Sequence, residues 1–587
     1  MIEQYSAKLE QIKSDPEQMA AFTSDVSTVV KAGPGSGKTT VLTLKIMRLL
    51  NEKINPPRGL ACLTFSNEAA KEFTTRIKKL GYQKRYNVFL NTVHSFCISE
   101  IINPYAGIYN DGFNFPIDII SNEKKQKIVS DILKDFGIDK REMGITEIDK
   151  ERNFAVGTSS SVTVERIMDV SKVAQEYEKR LQEENQVDFI EIVKYAAALI
   201  EEKPFVRKAL EAKFPWILID EYQDLGKPLH EMILILLEKT NIKIFAVGDP
   251  DQSIYGFQGA IPDYLLELYE HPNITSIELK TNYRSNQEII DASAIALNLD
   301  DREYKAGTRL GEKAEFHFIE CENEMDDQYH YVVNTIIPQC KKEGIPLEEI
   351  CILVAYGKQV KEMSTILKEA HIPHYLSKYD FAKSRLILWL KDCAKWVLNS
   401  DAFSFNELFE YWLTFTKSND QIISETQKNI HRRKLYRDLK ESVLHKEDLF
   451  LWLTFIKEKL EITIATFPED YELFISFAQE AENGEFNNNL ETFSNFGKPI
   501  NQVTLSTRHS SKGLEFEVVI MLGMEHGSFP FYKNIDVPSK LNEERRVFFV
   551  CLTRAKRVCY LLHSKRLWNY RKKPSIFLLE LQNALQK

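Results

Sequence analysis

The segment AGPGSGKTT, residues 32–40, constrains this chain more than any other, because the apolar stretch STVVK precedes it and the helical pattern VLTLKIMRLL follows. A strand that runs through a glycine loop into a helix points backbone N–H groups and a positive helix end at one place, which makes a cradle for phosphates. Gly33, Gly35 and Gly37 let the backbone curl, and Ser36 and Thr40 lie in the loop and the first helical turn. Lys38 is expected at the terminal phosphates of ATP, and Thr39 is expected to give its hydroxyl to magnesium. Ala32 stands where the Walker A arrangement has its first glycine.

A phosphate loop of this kind belongs to a parallel sheet, and the chain supplies short buried runs for one. Besides 27–33 these are LACLTF (60–65), WILIDE (216–221) and KIFAVGD (243–249). A second group follows late: EEICILVAY (348–356), VTLST (503–507), EVVIMLG (517–523) and VCYLLHS (558–564). The expected fold is therefore α/β with two sheets. Residues 96–189 and 386–495 change in texture to charged or aromatic helical patterns such as NEKKQKIVSDILKDFG (122–137) and FNELFEYWLTF (405–415), and read as helical insertions. The segment GEFNNNLETFSNFGKP (484–499) reads as a mobile linker.

Magnesium on a nucleotide needs carboxylates at the tip of a neighbouring strand, and WILIDEYQD supplies them. Asp220 is expected to hold the ion and Glu221 to orient or deprotonate the attacking water. In KIFAVGDPDQSIYGFQGA (243–260), Asp249 and Gln252 follow a third strand, where they could sense the terminal phosphate.

Composition narrows the partners. With 43% apolar and 27% charged residues the chain reads as a globular protein. It contains no run of ~18 apolar residues, so no membrane span is expected, and its charged first residues lack a secretory apolar block. A cytoplasmic location is the expectation. The eight cysteines show no CxxC pair and read as buried thiols. A net charge of -9 excludes a surface that attracts nucleic acid everywhere, so any such contact must be a local groove.

Eight motifs stand in one order: the glycine loop, LTFSNEAAKEF (63–73), NTVHSF (91–96), DEYQD (220–224), VGDPDQSIYGFQGA (247–260), LKTNYRS (279–285), STRHSSKGLEF (506–516) and EERRVFFVCLTRAK (543–556). In this the chain resembles the superfamily 1A helicases of the UvrD, Rep and PcrA kind. The resemblance implies two RecA-like P-loop NTPase domains, 1–95 with 190–275 and 276–385 with 496–587, with insertions at 96–189 and 386–495. It implies that Gln18 reads adenine, that Tyr283 stacks on the base and that Glu515 lies near the ribose or phosphates. Arg284 and Arg554 would be the two arginines that the second RecA-like domain brings to the terminal phosphate, with Lys38, Asp220, Glu221 and Gln252 completing the catalytic set. Phe65, Phe189, Tyr255 and Phe257 would be stacking platforms for single-stranded DNA near duplex junctions, with Asn67, Thr92, His94 and His509 near its backbone.

Phe257 and Gln258 stand where the family usually has Trp then Arg, so one stacking surface is smaller and one charged coupling contact is missing. The 3′ to 5′ direction is likewise an implication of the resemblance. Three contexts stay open. One is a general repair or replication helicase. Another, favoured by the compact insertion, resembles the helicase component of the Gabija anti-phage system, with an OLD-family nuclease as partner. The last is a partner-controlled, ATP-responsive DNA-binding scaffold with little unwinding.

Overall fold

The computed structural model describes residues 3–65, 67–83, 85, 87–109, 117–140, 143–154, 167–256, 259–299, 302–377, 384–400, 404–416, 424–463, 470–482, 489–494 and 501–586. The chain forms two compact units, 1–328 with 512–587, and 329–511.

In the first unit the strands β1 (Thr28–Ala32), β2 (Ala61–Thr64), β3 (Phe89–Thr92), β4 (Trp216–Ile219), β5 (Lys243–Gly248) and β6 (Thr275–Leu279) form one sheet in the order β3-β2-β4-β5-β1-β6. Every pairing is parallel. The inner strands β2 and β4 are buried along their whole length, which is why the sequence writes them as unbroken apolar runs. The edge strands β3 and β6 are only part buried and carry polar residues, so the apolar-run criterion passes over them. One face of the sheet packs on the Phe189–Glu202 and Lys227–Lys239 helices through Ile192, Ala196, Met232 and Ile233, and the other on the Lys38–Arg48 helix through Leu42 and Ile46. The same unit holds a second parallel group, with the Ala555–Ser564 strand between Phe516–Met521 and Glu315–Cys321.

Helices Asn122–Asp135, Ile145–Asn153 and Ile167–Glu183 form a satellite with its own core of Ile128, Ile132, Ile148, Val173 and Tyr177. The second unit pairs Val503–Thr507 in parallel with both Ile350–Val354 and His374–Leu376. Its helical part is built on aromatic residues, among them Trp389 stacked on Trp412 at 5.1 Å and a fully buried Trp452. The linker expected at 484–499 is corrected in part: Leu490–Ser494 is helical, with Leu490 and Phe493 buried in that aromatic core. The rest of that segment lies outside the described residues. All eight cysteines are buried. Among the described residues no helix is long and apolar enough to cross a membrane.

Candidate active site and strand-binding edge

β1 ends at Ala32 and the next helix starts at Lys38, so five residues must turn the chain. Gly35 at φ 70° and Gly37 at φ 84° make that turn in the left-handed region open to glycine. The space is also taken: a Cβ on Gly35 would lie 2.5 Å from Asn282 Oδ1, and one on Gly37 2.7 Å from Gln18 Nε2. The Ser36 hydroxyl donates to the Gly33 carbonyl at 2.7 Å and closes the loop on itself. The Lys38 Nζ is buried and has no hydrogen-bond partner among the described residues. A buried ammonium without an acceptor is costly unless an anion meets it, so this cradle fits a phosphate chain. Thr39 and Thr40 stand half-buried in the first turn of the same helix.

The acids come from the tip of β4, between β2 and β5. Asp220 donates its N–H to the Leu63 carbonyl at 3.1 Å and accepts the Glu221 N–H at 3.0 Å. Glu221 sits at φ 54°, a left-handed conformation that reverses the chain directly after the strand. Desolvation, then the charge of Glu221, pushes the Asp220 carboxyl up to about 7. Desolvation acts the same way on Glu221, but Lys38 and Lys512 outweigh it and bring that carboxyl down to about 2. The two carboxyls titrate as a coupled pair, with Lys38 and Lys512 lowering both and Glu221 the further. Gln223 donates its amide to Glu221 and accepts the Asp249 N–H at 3.0 Å, and Asp249 in turn accepts the Gln252 amide at 2.7 Å.

Lys512 closes this network from another part of the chain, donating to Asp224 at 2.6 Å and to the Gln252 carbonyl at 2.9 Å. Sequence reading quoted the motifs that contain Lys512, Asp224 and Gln223 without giving these residues a role. Their only signal was membership of those motifs.

Gln18 donates to the Ser36 carbonyl at 2.9 Å, from a helix capped by Asp15. Asp15 also accepts the Tyr283 hydroxyl at 2.7 Å, while the Tyr283 N–H donates to the Gly35 carbonyl at 2.8 Å. Arg284 pairs through Nε with Glu515 at 2.7 Å. It reaches the Thr553 carbonyl at 3.3 Å. Arg554 is 1% exposed and spends its donors on the carbonyls of Val550 (2.9 Å) and Leu514 (3.0 Å) and the hydroxyl of Thr553 (3.0 Å). Burial, then the charge of Arg284, lowers its pKa to about 9, so it stays cationic at neutral pH. Direct contacts thus join Gln18 and Tyr283 to the glycine loop, and Arg284 to Glu515 and Arg554 through Thr553.

The residues expected at a DNA strand lie mostly at the same C-terminal edge of the sheet, where ligands of parallel sheets gather. Thr64 and Thr92 are register partners at the ends of β2 and β3, and Phe65 follows the first, part buried against the core. Thr92 caps the next short helix, accepting the Ser95 N–H at 3.3 Å. That helix carries His94, whose ring lies 4.9 Å from Phe189. Phe189 opens its own helix and is 50% exposed, too much for a core residue. Burial lowers the His94 pKa to about 4, so the ring is neutral at neutral pH. Tyr255 lies beyond β5 with the Lys512 ammonium 5.2 Å from its ring centroid. His509 opens a short 3-10 turn after the Val503–Thr507 strand of the second unit. Phe257, Gln258 and the Asn67 side chain lie outside the described residues.

A feature that sequence reading missed is the hairpin of strands Arg566–Leu567 and Tyr570–Arg571. Trp568 and Asn569 turn it at positive φ. Trp568 is 71% and Tyr570 73% exposed, beside Lys565, Arg566, Arg571, Lys572 and Lys573. Aromatic and basic residues so alternated could have been read from SKRLWNYRKKP.

A glycine loop between strand and helix, acids at the tip of a neighbouring strand and a parallel sheet define a P-loop nucleoside triphosphatase of RecA-like type. Residues 14–273 match the UvrD/REP helicase N-terminal domain, and residues 277–460 and 411–566 match the UvrD-like helicase C-terminal domain. The chain belongs to the UvrD/Rep/PcrA-like superfamily 1A of ATP-hydrolysing DNA helicases. It is 27% identical over 643 residues to the ATP-dependent DNA helicase PcrA of Staphylococcus aureus, covering 96% of this chain and 86% of that one. Against the ATP-dependent DNA helicase PcrA of Staphylococcus epidermidis the identity is 25% over 632 residues, with the same coverage.

Proposed function

We propose that the chain is a motor that moves 3′ to 5′ on single-stranded DNA, driven by ATP hydrolysis at the glycine loop. One observation carries this reading: a phosphate cradle in which the Lys38 Nζ is buried without a hydrogen-bond partner among the described residues, and an aromatic pair of a half-buried His94 with the exposed Phe189, share the C-terminal edge of one parallel sheet. Gln18 and Tyr283 hold the base, and the loop N–H groups with Lys38 hold the phosphates. Thr39 and Asp220 are the residues that would hold magnesium, which supplies charge neutralisation to the phosphates. Glu221, kept ionised by Lys38 and Lys512, takes the proton of the attacking water. Arg284 and Arg554 meet the charge that spreads over the transferred phosphoryl group. Residues 1–95 with 190–275 and 276–385 with 496–587 are the two motor domains of this proposal. ATP hydrolysis measured with and without oligo(dT) tests the reading. Strong stimulation supports it, and hydrolysis indifferent to DNA favours the partner-controlled scaffold.

Phe189→Ala is expected to weaken oligo(dT) binding by ~1 to 3 kcal/mol, about 5- to 150-fold in Kd by fluorescence anisotropy, with DNA-free ATP turnover unchanged. The exposed Trp568 hairpin fits a base pair at a junction. Trp568→Ala is expected to slow strand displacement about tenfold while oligo(dT)-stimulated hydrolysis persists.

The pathway reading rests on the compactness of the chain and its resemblance to the Gabija helicase component. It is a bacterial anti-phage role with a separate OLD-family nuclease. In support, the second unit exposes Val443, Leu444 (82%) and Leu451 (50%) on adjoining elements, an apolar surface of the kind proteins cover. Co-purification with a nuclease encoded beside it tests this reading, and a chain that stays alone favours a general repair helicase.

A further inference from the structure

The Ile145–Asn153 helix ends on two residues that touch different parts of the site. Arg152 has a side chain 1% exposed and donates to Asp188 Oδ1 at 2.9 Å and to Glu178 Oε1 at 2.8 Å. Its guanidinium lies 4.9 Å from the Tyr177 ring centroid, and the Tyr177 hydroxyl donates to the same Asp188 at 3.3 Å. Asp188 is the N-cap of the Phe189–Glu202 helix, accepting the Glu191 N–H at 3.0 Å. The carboxylate that anchors Arg152 therefore also fixes where Phe189 leaves the chain, against His94.

The next residue, Asn153, backs two glycines. A Cβ on Gly226 would lie 3.1 Å from Asn153 Oδ1, and one on Gly259 2.9 Å from its Nδ2 and Cβ. Gly226 stands two residues beyond Asp224, and Gly259 closes the turn after Tyr255. The two glycine segments are tied together by the Ile261 N–H donating to the Leu225 carbonyl at 3.2 Å.

We propose that Arg152 and Asn153 are positioning residues that couple strand occupancy at His94 and Phe189 to the ATP-site loops of Glu221–Asp224 and Gln252. The inference rests on the motor reading above. A base stacked on Phe189 bears on Asp188, and the forked, buried ion pair hands that load to Arg152 with little slack. Arg152 and Asn153 share one helical turn, so the load reaches the two glycine segments, which pack directly on Asn153. Coupling between two sites can be carried by a contiguous chain of packed and ion-paired groups of this kind.

The test is steady-state ATP hydrolysis by the full chain, with and without saturating oligo(dT), for the wild type, Asn153→Ala and Arg152→Lys, with thermal melts of each. Asn153→Ala is expected to keep basal kcat, KM for ATP and the oligo(dT) half-saturation, and to lose about tenfold of the DNA stimulation. Arg152→Lys, which loses the fork, is expected to raise the oligo(dT) half-saturation and lower the stimulation together. If Arg152→Lys does not fold, the asparagine variant decides, since it keeps the buried ion pairs. Asn153→Ala with wild-type stimulation, or with basal and stimulated rates falling in proportion, overturns the inference and leaves the motor reading standing. A wild type that oligo(dT) does not stimulate overturns both.

Discussion

Glu221→Gln is expected to lower kcat for ATP hydrolysis by about 10² to 10⁴ while nucleotide still binds. The substitution keeps the shape of the side chain and removes its charge, so the left-handed turn after β4 and the contact with Gln223 can persist. What is lost is a carboxylate whose pKa Lys38 and Lys512 lower. The loss falls on kcat, because a base acts on the attacking water in the transition state and not on bound ATP. Single-turnover hydrolysis beside titration with a fluorescent ATP analogue separates the two quantities. A variant that hydrolyses at the wild-type rate means that another group activates the water.

The second large effect is expected at Arg554. Arg554→Ala should lower kcat by about 10³ to 10⁵, the range for an arginine that stabilises charge in phosphoryl transfer. It should also cost about 2 to 4 kcal/mol of stability, because the Leu514 carbonyl loses the Arg554 donor, the Val550 carbonyl keeps the Thr553 hydroxyl but loses the guanidinium, and a fully buried side chain leaves a void. Arg284→Ala provides the contrast. Its side chain is 16% exposed and faces a half-exposed Glu515, so its loss should lower kcat with little change in stability. Urea unfolding read beside hydrolysis distinguishes the two. Equal stability losses would contradict the different burial of the two side chains.

The phosphate site was legible from sequence because its chemistry fixes residue identity at short spacing. A loop that must curl at Gly35 and Gly37 and end in Lys38 leaves little freedom, and Asp220 with Glu221 must stand at a strand tip. The inner strands were legible for a related reason, since burial on both faces demands apolar residues throughout. Among the strands that were not are Phe89–Thr92, Thr275–Leu279, Glu315–Cys321 and His374–Leu376. Each flanks its group of strands and mixes polar with apolar residues, so it carries no unbroken apolar signal. Leu490–Ser494 was misread because Asn and Gly around it suggest a linker, while Leu490 and Phe493 are claimed by a core assembled from distant helices.

Contacts between remote residues were the least legible. Lys512 and Asp224 are 288 positions apart, and nothing local to either announces the pair. The Arg152 and Asp188 pair is invisible for the same reason, although Asp188 stands directly before Phe189, the stacking platform of the proposed motor. Sequence thus singled out candidate groups for the chemistry, and the fold was needed to see what holds them in place.

Displacement of streptavidin from biotinylated oligo(dT) measures directed, ATP-driven movement along a single strand without requiring duplex unwinding. A 3′ to 5′ motor gives ATP-dependent release from the 5′ end, much slower release from the 3′ end and none with Glu221→Gln. Wild-type protein that hydrolyses ATP on oligo(dT) yet releases streptavidin from neither end would contradict directed movement.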